Sequence, residues 1–109
     1  MIRLGPGGLV IVLLATVLAP DHGSAADFTV VQKNKAFSVS QIEIKVGDRI
    51  TFLNSDTGHH NVLSETKGTE FNFRQAPGRS DTVRFTQAGT VVVECAIHPD
   101  MRLEVLVRR

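Results

Sequence analysis

Three residues able to bind a soft metal stand close together near the end of the chain, in Cys95-Ala96-Ile97-His98-Pro99-Asp100-Met101. Two residues separate each donor from the next, so one tight loop can wrap all three around an ion. A fourth donor must then come from a neighbouring strand end. Gly58-His59-His60-Asn61-Val62 supplies histidines at a turn-to-strand junction. Thiolate and thioether stabilise Cu(I), and imidazole also suits Cu(II), so a Cys, two His and a weak axial Met tolerate both oxidation states in one geometry. Zinc shares the Cys and His ligands, but structural zinc sites favour several thiolates and rarely use Met. A Cys-His pair can also make a nucleophile. A chain this short offers no deep cleft for one, and neither a Gly-rich phosphate loop nor paired carboxylates with a partner base are present. We expect no enzyme.

The rest of the chain bears on why Cys95 is there. Met1-Ile2-Arg3 is short and basic, an apolar run covers Leu9 to Ala19, and His22-Gly23-Ser24-Ala25-Ala26 adds small residues. A charged start, an apolar stretch of roughly 7–15 residues and a small-residue exit describe a secretory signal. The run is short of the roughly 20 residues that span a membrane, and Pro20-Asp21 stops it, so stable membrane insertion is not expected. The expected organisation is a signal over residues 1–26 and one domain over 27–109, working in the periplasm or otherwise outside the cytoplasm. In that oxidising setting cysteines are usually paired. The chain has a single cysteine, which is exposed to oxidation unless something occupies it. A metal would do so, and would also stabilise a domain small enough for core burial alone to be marginal.

Charge is near balance, with 12 Lys+Arg against 11 Asp+Glu. Nothing in it favours nucleic acid or an anionic membrane as partner.

The elements that must position the donors read as strands. Phe28–Gln32 is β-rich. Phe37–Val39, Gln41–Lys45 and Arg49–Asn54 alternate apolar and polar residues, with Ile50 and Phe52 facing inward. Asn61–Leu63, Phe71–Phe73, Thr82–Phe85 and Leu103–Val107 follow. Thr90–Val93 is a continuous apolar run of the kind buried on both faces. Gly47 and Gly89 fall in turns, and Phe52, Phe71, Phe73 and Phe85 are expected core. No segment carries a helical period. About seven or eight short strands between turns predict an all-β Greek-key sandwich or barrel.

From about Phe37 to Val107 the chain resembles the cupredoxins, and within them the amicyanin and plastocyanin branch, including small bacterial proteins of methylamine utilisation. The resemblance lies in Ile44-x-Val46-Gly47-Asp48-x-Ile50-x-Phe52-x-Asn54, in His60-Asn61-Val62, and in Val91 through Met101. The two-residue gaps are closer to amicyanin than to the longer plastocyanin loop. This implies one type 1 (blue) copper ion held by His60, Cys95, His98 and Met101, with Asn61 bracing the two ligand segments. It also implies a monomeric one-electron carrier that meets donor and acceptor proteins transiently, with His98 as the electron port. Strand alternation lets only one of His59 and His60 face the site, and the Asn-Val that follows favours His60. Two departures are visible: Val92-Val93-Glu94 where an aromatic residue commonly precedes the cysteine, and Asp100 where an apolar residue is common. With the same ligands, the alternatives are a copper carrier or chaperone that hands the metal on, or a zinc-stabilised or metal-free interaction module.

Overall fold

The computed structural model describes residues 24–109. The expected signal over residues 1–26 therefore lies almost wholly outside the described residues. Among those described there is no helix, and no helix long and apolar enough to cross a membrane.

Among the described residues, nine strands form two sheets. In chain order they are β1 (Asp27–Lys33), β2 (Ala36–Phe37), β3 (Gln41–Lys45), β4 (Arg49–Asn54), β5 (His60–Ser64), β6 (Phe71–Gln75), β7 (Ser80–Arg84), β8 (Gly89–Cys95) and β9 (His98–Arg108). One sheet runs β2-β1-β4-β7 and the other β3-β9-β8-β5-β6. β1 pairs with β4, and β3 with β9, in parallel, while the remaining pairs are antiparallel. The expected sandwich is present, with one strand more than the upper expectation. The expected run Phe37–Val39 keeps only Phe37 in a strand, as part of the two-residue β2 that closes a hairpin onto β1.

Period-two alternation does the sorting. Ile50 and Phe52 of β4 turn inward with Val62 of β5, Val91 and Val93 of β8, and Leu103, Val105 and Val107 of β9. Phe85 is fully buried, and Phe71 sits against Phe52, Phe85 and Phe73 with ring centroids 6.2, 6.2 and 5.8 Å away. Phe71 and Phe73 are half-buried at the rim of this core. β8 differs from expectation, because Val92 is only half-buried while its neighbours are buried. The strand alternates like the others, and its apolar outer face is partly exposed.

Several turns use the left-handed backbone region, and two of them frame β1 to β4. Gly47 (φ 98°) closes the β3–β4 turn. At the β1–β2 turn it is taken by two residues with side chains, Asn34 (φ 54°) and Lys35 (φ 57°), the signature of a two-residue hairpin turn that normally selects Asn and Gly.

Candidate metal centre

The same alternation that builds the core delivers the donor residues to one end of it. On β5, His60 is in phase with Val62, and both are buried. On β8, Cys95 is in phase with Val91 and Val93, and on β9, Met101 is in phase with Leu103 and Val105. The three donor residues are each about 1% exposed. His59 is exposed to solvent.

His98 cannot share Met101's phase on a regular strand, since their spacing of three is odd. An irregularity resolves this. Glu94 pairs with Arg102 but the next residue, Cys95, pairs with His98, so β9 carries three unmatched residues between the two pairs. The sequence reading placed the Cys95–Met101 segment in a loop. In the structure it is the tip of the β8–β9 hairpin, with only Ala96 and Ile97 outside the strands. The bulge re-aims His98 toward Cys95 and leaves the ring half-buried at the surface.

Three donor atoms converge. Cys95 Sγ lies 3.7 Å from His60 Nδ1 and 3.7 Å from His98 Nδ1, and the two Nδ1 atoms are 3.1 Å apart. A point equidistant from all three is about 2 Å from each, which matches metal–imidazole and metal–thiolate bonds of about 2.0–2.3 Å. The residues therefore fit a metal ion. His60, Cys95 and His98 form the one such His/Cys/Asp/Glu group among the described residues. Cys95 is free of any disulfide.

Hydrogen bonds hold these donors in place. The Asn61 amide donates to Cys95 Sγ at 3.3 Å, and Asn61 Oδ1 accepts the Ala96 amide at 2.6 Å, which staples β5 to the hairpin tip. Asp56 Oδ2 accepts from His60 Nε2 at 2.6 Å. A carboxylate only accepts, so Nε2 carries a proton, and in the neutral ring Nδ1 is the lone-pair nitrogen facing Cys95. Asp56 also accepts the amides of Asn34 (2.7 Å) and Lys35 (3.0 Å). The Lys35 amide foremost, then His60 and Asn34, hold the Asp56 carboxyl down at about 2, against the opposing effect of burial.

The loop before His60 is shaped from below. Asn54 is buried and donates to the carbonyls of Gly58 and Gln75, while its Oδ1 accepts the Asp56 amide. Gln75 is paired with His60 across β5 and β6, and its side chain donates to the Phe52 carbonyl and to Asp81. Gln32 Nε2 donates to Gln75 Oε1 in turn. A buried amide layer thus joins the two sheets directly beneath the donors. Sequence reasoning missed this layer and missed Asp56, which stands in a stretch that signals only a turn.

Outside, a groove of about 560 Å³ is lined by Asn34, Lys35, Thr57, His59, Ile97 and His98, among others. Ile97 at the hairpin tip is 58% exposed. Glu94 stands beside Arg102, 3.9 Å away, and Asp100 is exposed.

Comparison with known proteins agrees with this geometry. Amicyanin of Paracoccus denitrificans is 34% identical over 79 residues, covering 65% of this chain and 57% of that protein. Methylamine utilization protein MauL of Methylorubrum extorquens is 34% identical over 83 residues, covering 74% of this chain and 73% of the relative. The solved structure of a Cu(I) form of an amicyanin variant superposes with a TM-score of 0.67 at 26% identity, over 80% of this chain and 87% of that one. Residues 25–108 match the family described as copper binding proteins, plastocyanin/azurin family. With that match spanning the whole sandwich and the donor cluster, this chain belongs to the copper-binding plastocyanin/azurin family, as a cupredoxin of amicyanin type.

Proposed function

We propose that this protein is an exported one-electron carrier in which His60, Cys95, His98 and Met101 hold one type 1 copper ion. The observation that carries the reading is the triangle of Cys95 Sγ and the two Nδ1 atoms, with edges of 3.1 to 3.7 Å. Met101, buried on β9, would supply a weak thioether ligand. Bound copper would supply the chemistry, gaining one electron from a reduced protein and returning it to an oxidised one.

The protein's own part is to keep the donors still. Cys95 is buried, and its sulfur accepts the Asn61 amide, which fixes its position. His60 is fixed at its far nitrogen by Asp56. His98 is the donor that reaches the surface, beside the groove lined by Lys35, His59 and Ile97, so donor and acceptor proteins dock transiently there. Ile97 gives this face an apolar contact, and Asp100 adds an acidic group beside it. The domain works as a monomer outside the cytoplasm, a placement supported by the apolar segment Leu9–Ala19 and the small residues after it.

The test is to add Cu(II) to the copper-free protein and follow the visible spectrum and a redox titration. An intense visible band with reversible reduction supports the carrier of electrons. Colourless binding that a chelator readily reverses would favour a carrier of copper instead. A Cys95→Ser variant that keeps the colour would overturn the ligand assignment.

A further inference from the structure

The buried histidine of the site has a carboxylate behind it, and that carboxylate is itself held from a third direction. Asp56 Oδ2 lies 2.6 Å from His60 Nε2, while Asp56 Oδ1 and Oδ2 take the amides of Asn34 and Lys35 at 2.7 and 3.0 Å. Successive amides in left-handed conformation form a concave nest for an anion, and both residues have positive φ. Asp56 is thus pinned by the β1–β2 turn on one side and by Asn54, through its own amide, on the other. Its freedom is spent before His60 reaches it.

We propose that Asp56 is a positioning residue for the metal centre: it sets which nitrogen of His60 faces Cys95 and lends that ring negative charge. The first effect follows from hydrogen-bond inventory. In the neutral ring, an Nε2–H committed to a carboxylate leaves the lone pair on Nδ1, and Nδ1 is the atom 3.7 Å from Cys95 Sγ. The second follows from charge. A carboxylate donating electron density through imidazole raises ligand basicity, and it stabilises the doubly charged oxidised ion more than the singly charged reduced one. Asp56 therefore lowers the reduction potential. The site's geometry would survive its loss, because Asn61 and the strand register still bring His60, Cys95 and His98 together.

The proposal rests on His60 being a copper ligand, and two measurements keep the ideas separable. The first uses copper-free protein: long-range nitrogen–proton NMR of the imidazoles in the wild type, Asp56→Asn and Asp56→Ala. His60 is expected as a single Nε2–H tautomer in the wild type and as a mixture in Asp56→Ala. The second uses copper-loaded protein. Cu(II) affinity is expected to fall about 10–100-fold in Asp56→Ala, in line with other partners of metal-bound histidines. A tenfold fall in Cu(II) affinity relative to Cu(I) appears as a potential raised by about 59 mV. Asp56→Asn keeps the size and one acceptor, and should shift the potential in the same direction by less.

Lys35→Gly relieves the strained turn and separates the turn from the ring. If Lys35→Gly restores affinity and potential in an Asp56→Ala background, Asp56 acts only by shaping the turn and the proposal fails. It fails equally if tautomer and potential are unchanged in folded Asp56→Ala. Should Asp56→Ala not fold, the Asp56→Asn potential decides alone: no rise overturns the idea. A wild type that binds no copper would sink the functional reading, while the copper-free NMR still tests the role of Asp56.

Discussion

The Asn61 amide points at the Cys95 sulfur from 3.3 Å, and the same residue's side chain takes the amide of Ala96 at 2.6 Å. One residue on β5 therefore grips the hairpin tip twice, once through backbone and once through side chain. Asn61→Ala keeps the backbone bond to sulfur and removes the other, together with the bond to Asn72. The copper-free protein should lose about 1 kcal/mol, and the Ala96 amide should exchange with solvent faster. Unchanged exchange at Ala96 would show that the side chain is not the clamp.

The amide layer beneath the site should be sensitive in a definite order. Gln75 makes three side-chain bonds, to Gln32, the Phe52 carbonyl and Asp81. Gln32 makes one, and its Oε1 has no hydrogen-bond partner among the described residues. Gln75→Leu should cost about 3 kcal/mol and Gln32→Leu about 1–2, because unpaired buried groups carry the desolvation penalty. Urea unfolding of the copper-free variants ranks them, and the reverse order would refute the layer's role.

Acid should weaken the fold through Asp48. Its carboxylate, buried at 6% exposure, accepts the amide of Lys45 (2.8 Å) and, in the uncleaved chain, that of Ala26 (2.9 Å). These bonds, that of Lys45 foremost, hold its pKa below the ordinary 3.8. A carboxyl whose folded value is depressed contributes stability above its unfolded value, and that contribution is lost as pH falls through the folded one. Stability should therefore decline below about pH 4, where the unfolded chain begins to bind the proton first. Asp48→Asn should be less stable at neutral pH and should show a flatter decline in acid. Denaturant titrations from pH 7 to pH 2 on copper-free protein measure both.

Loading should stabilise the fold by mass action. At a free copper level of 1,000 times Kd, a single site on the native state adds about 4 kcal/mol. Tm should rise on addition of copper and fall back when a chelator strips it, in wild type but not in Cys95→Ser. A Cys95→Ser protein with the full rise would place the binding elsewhere.

Much of the fold was legible because period-two alternation is a local signal. Ile50, Phe52 and Leu103 declare their faces within a few residues of sequence, and the structure buries all three. The short β2 was read at Phe37–Val39 but lies at Ala36–Phe37, because so short a run carries too little period to fix its ends. Val92 misled because an apolar side chain on a partly covered outer face looks the same in sequence as a doubly buried one. The donor residues were visible as residue types at close spacing. The manner in which His98 and Met101 face the same interior was not, since an odd spacing needs the bulge after Glu94, and a bulge has no residue signature here. Asp56 was invisible for another reason. Its partners are Asn34, Lys35 and His60, and only the pairing of distant strands shows that a turn aspartate lies behind a histidine ring.

The bulged hairpin has a consequence for how the protein matures. Cys95, His98 and Met101 lie within one short segment, but His60 reaches them only when β5 docks against β8, where Leu63 meets Glu94. That contact spans about thirty residues of chain, and such distant pairings form late. An unfinished chain can offer copper a partial set of donors but never the whole. Colour would then report assembly as well as chemistry: a molecule that turns blue has already brought its two halves together.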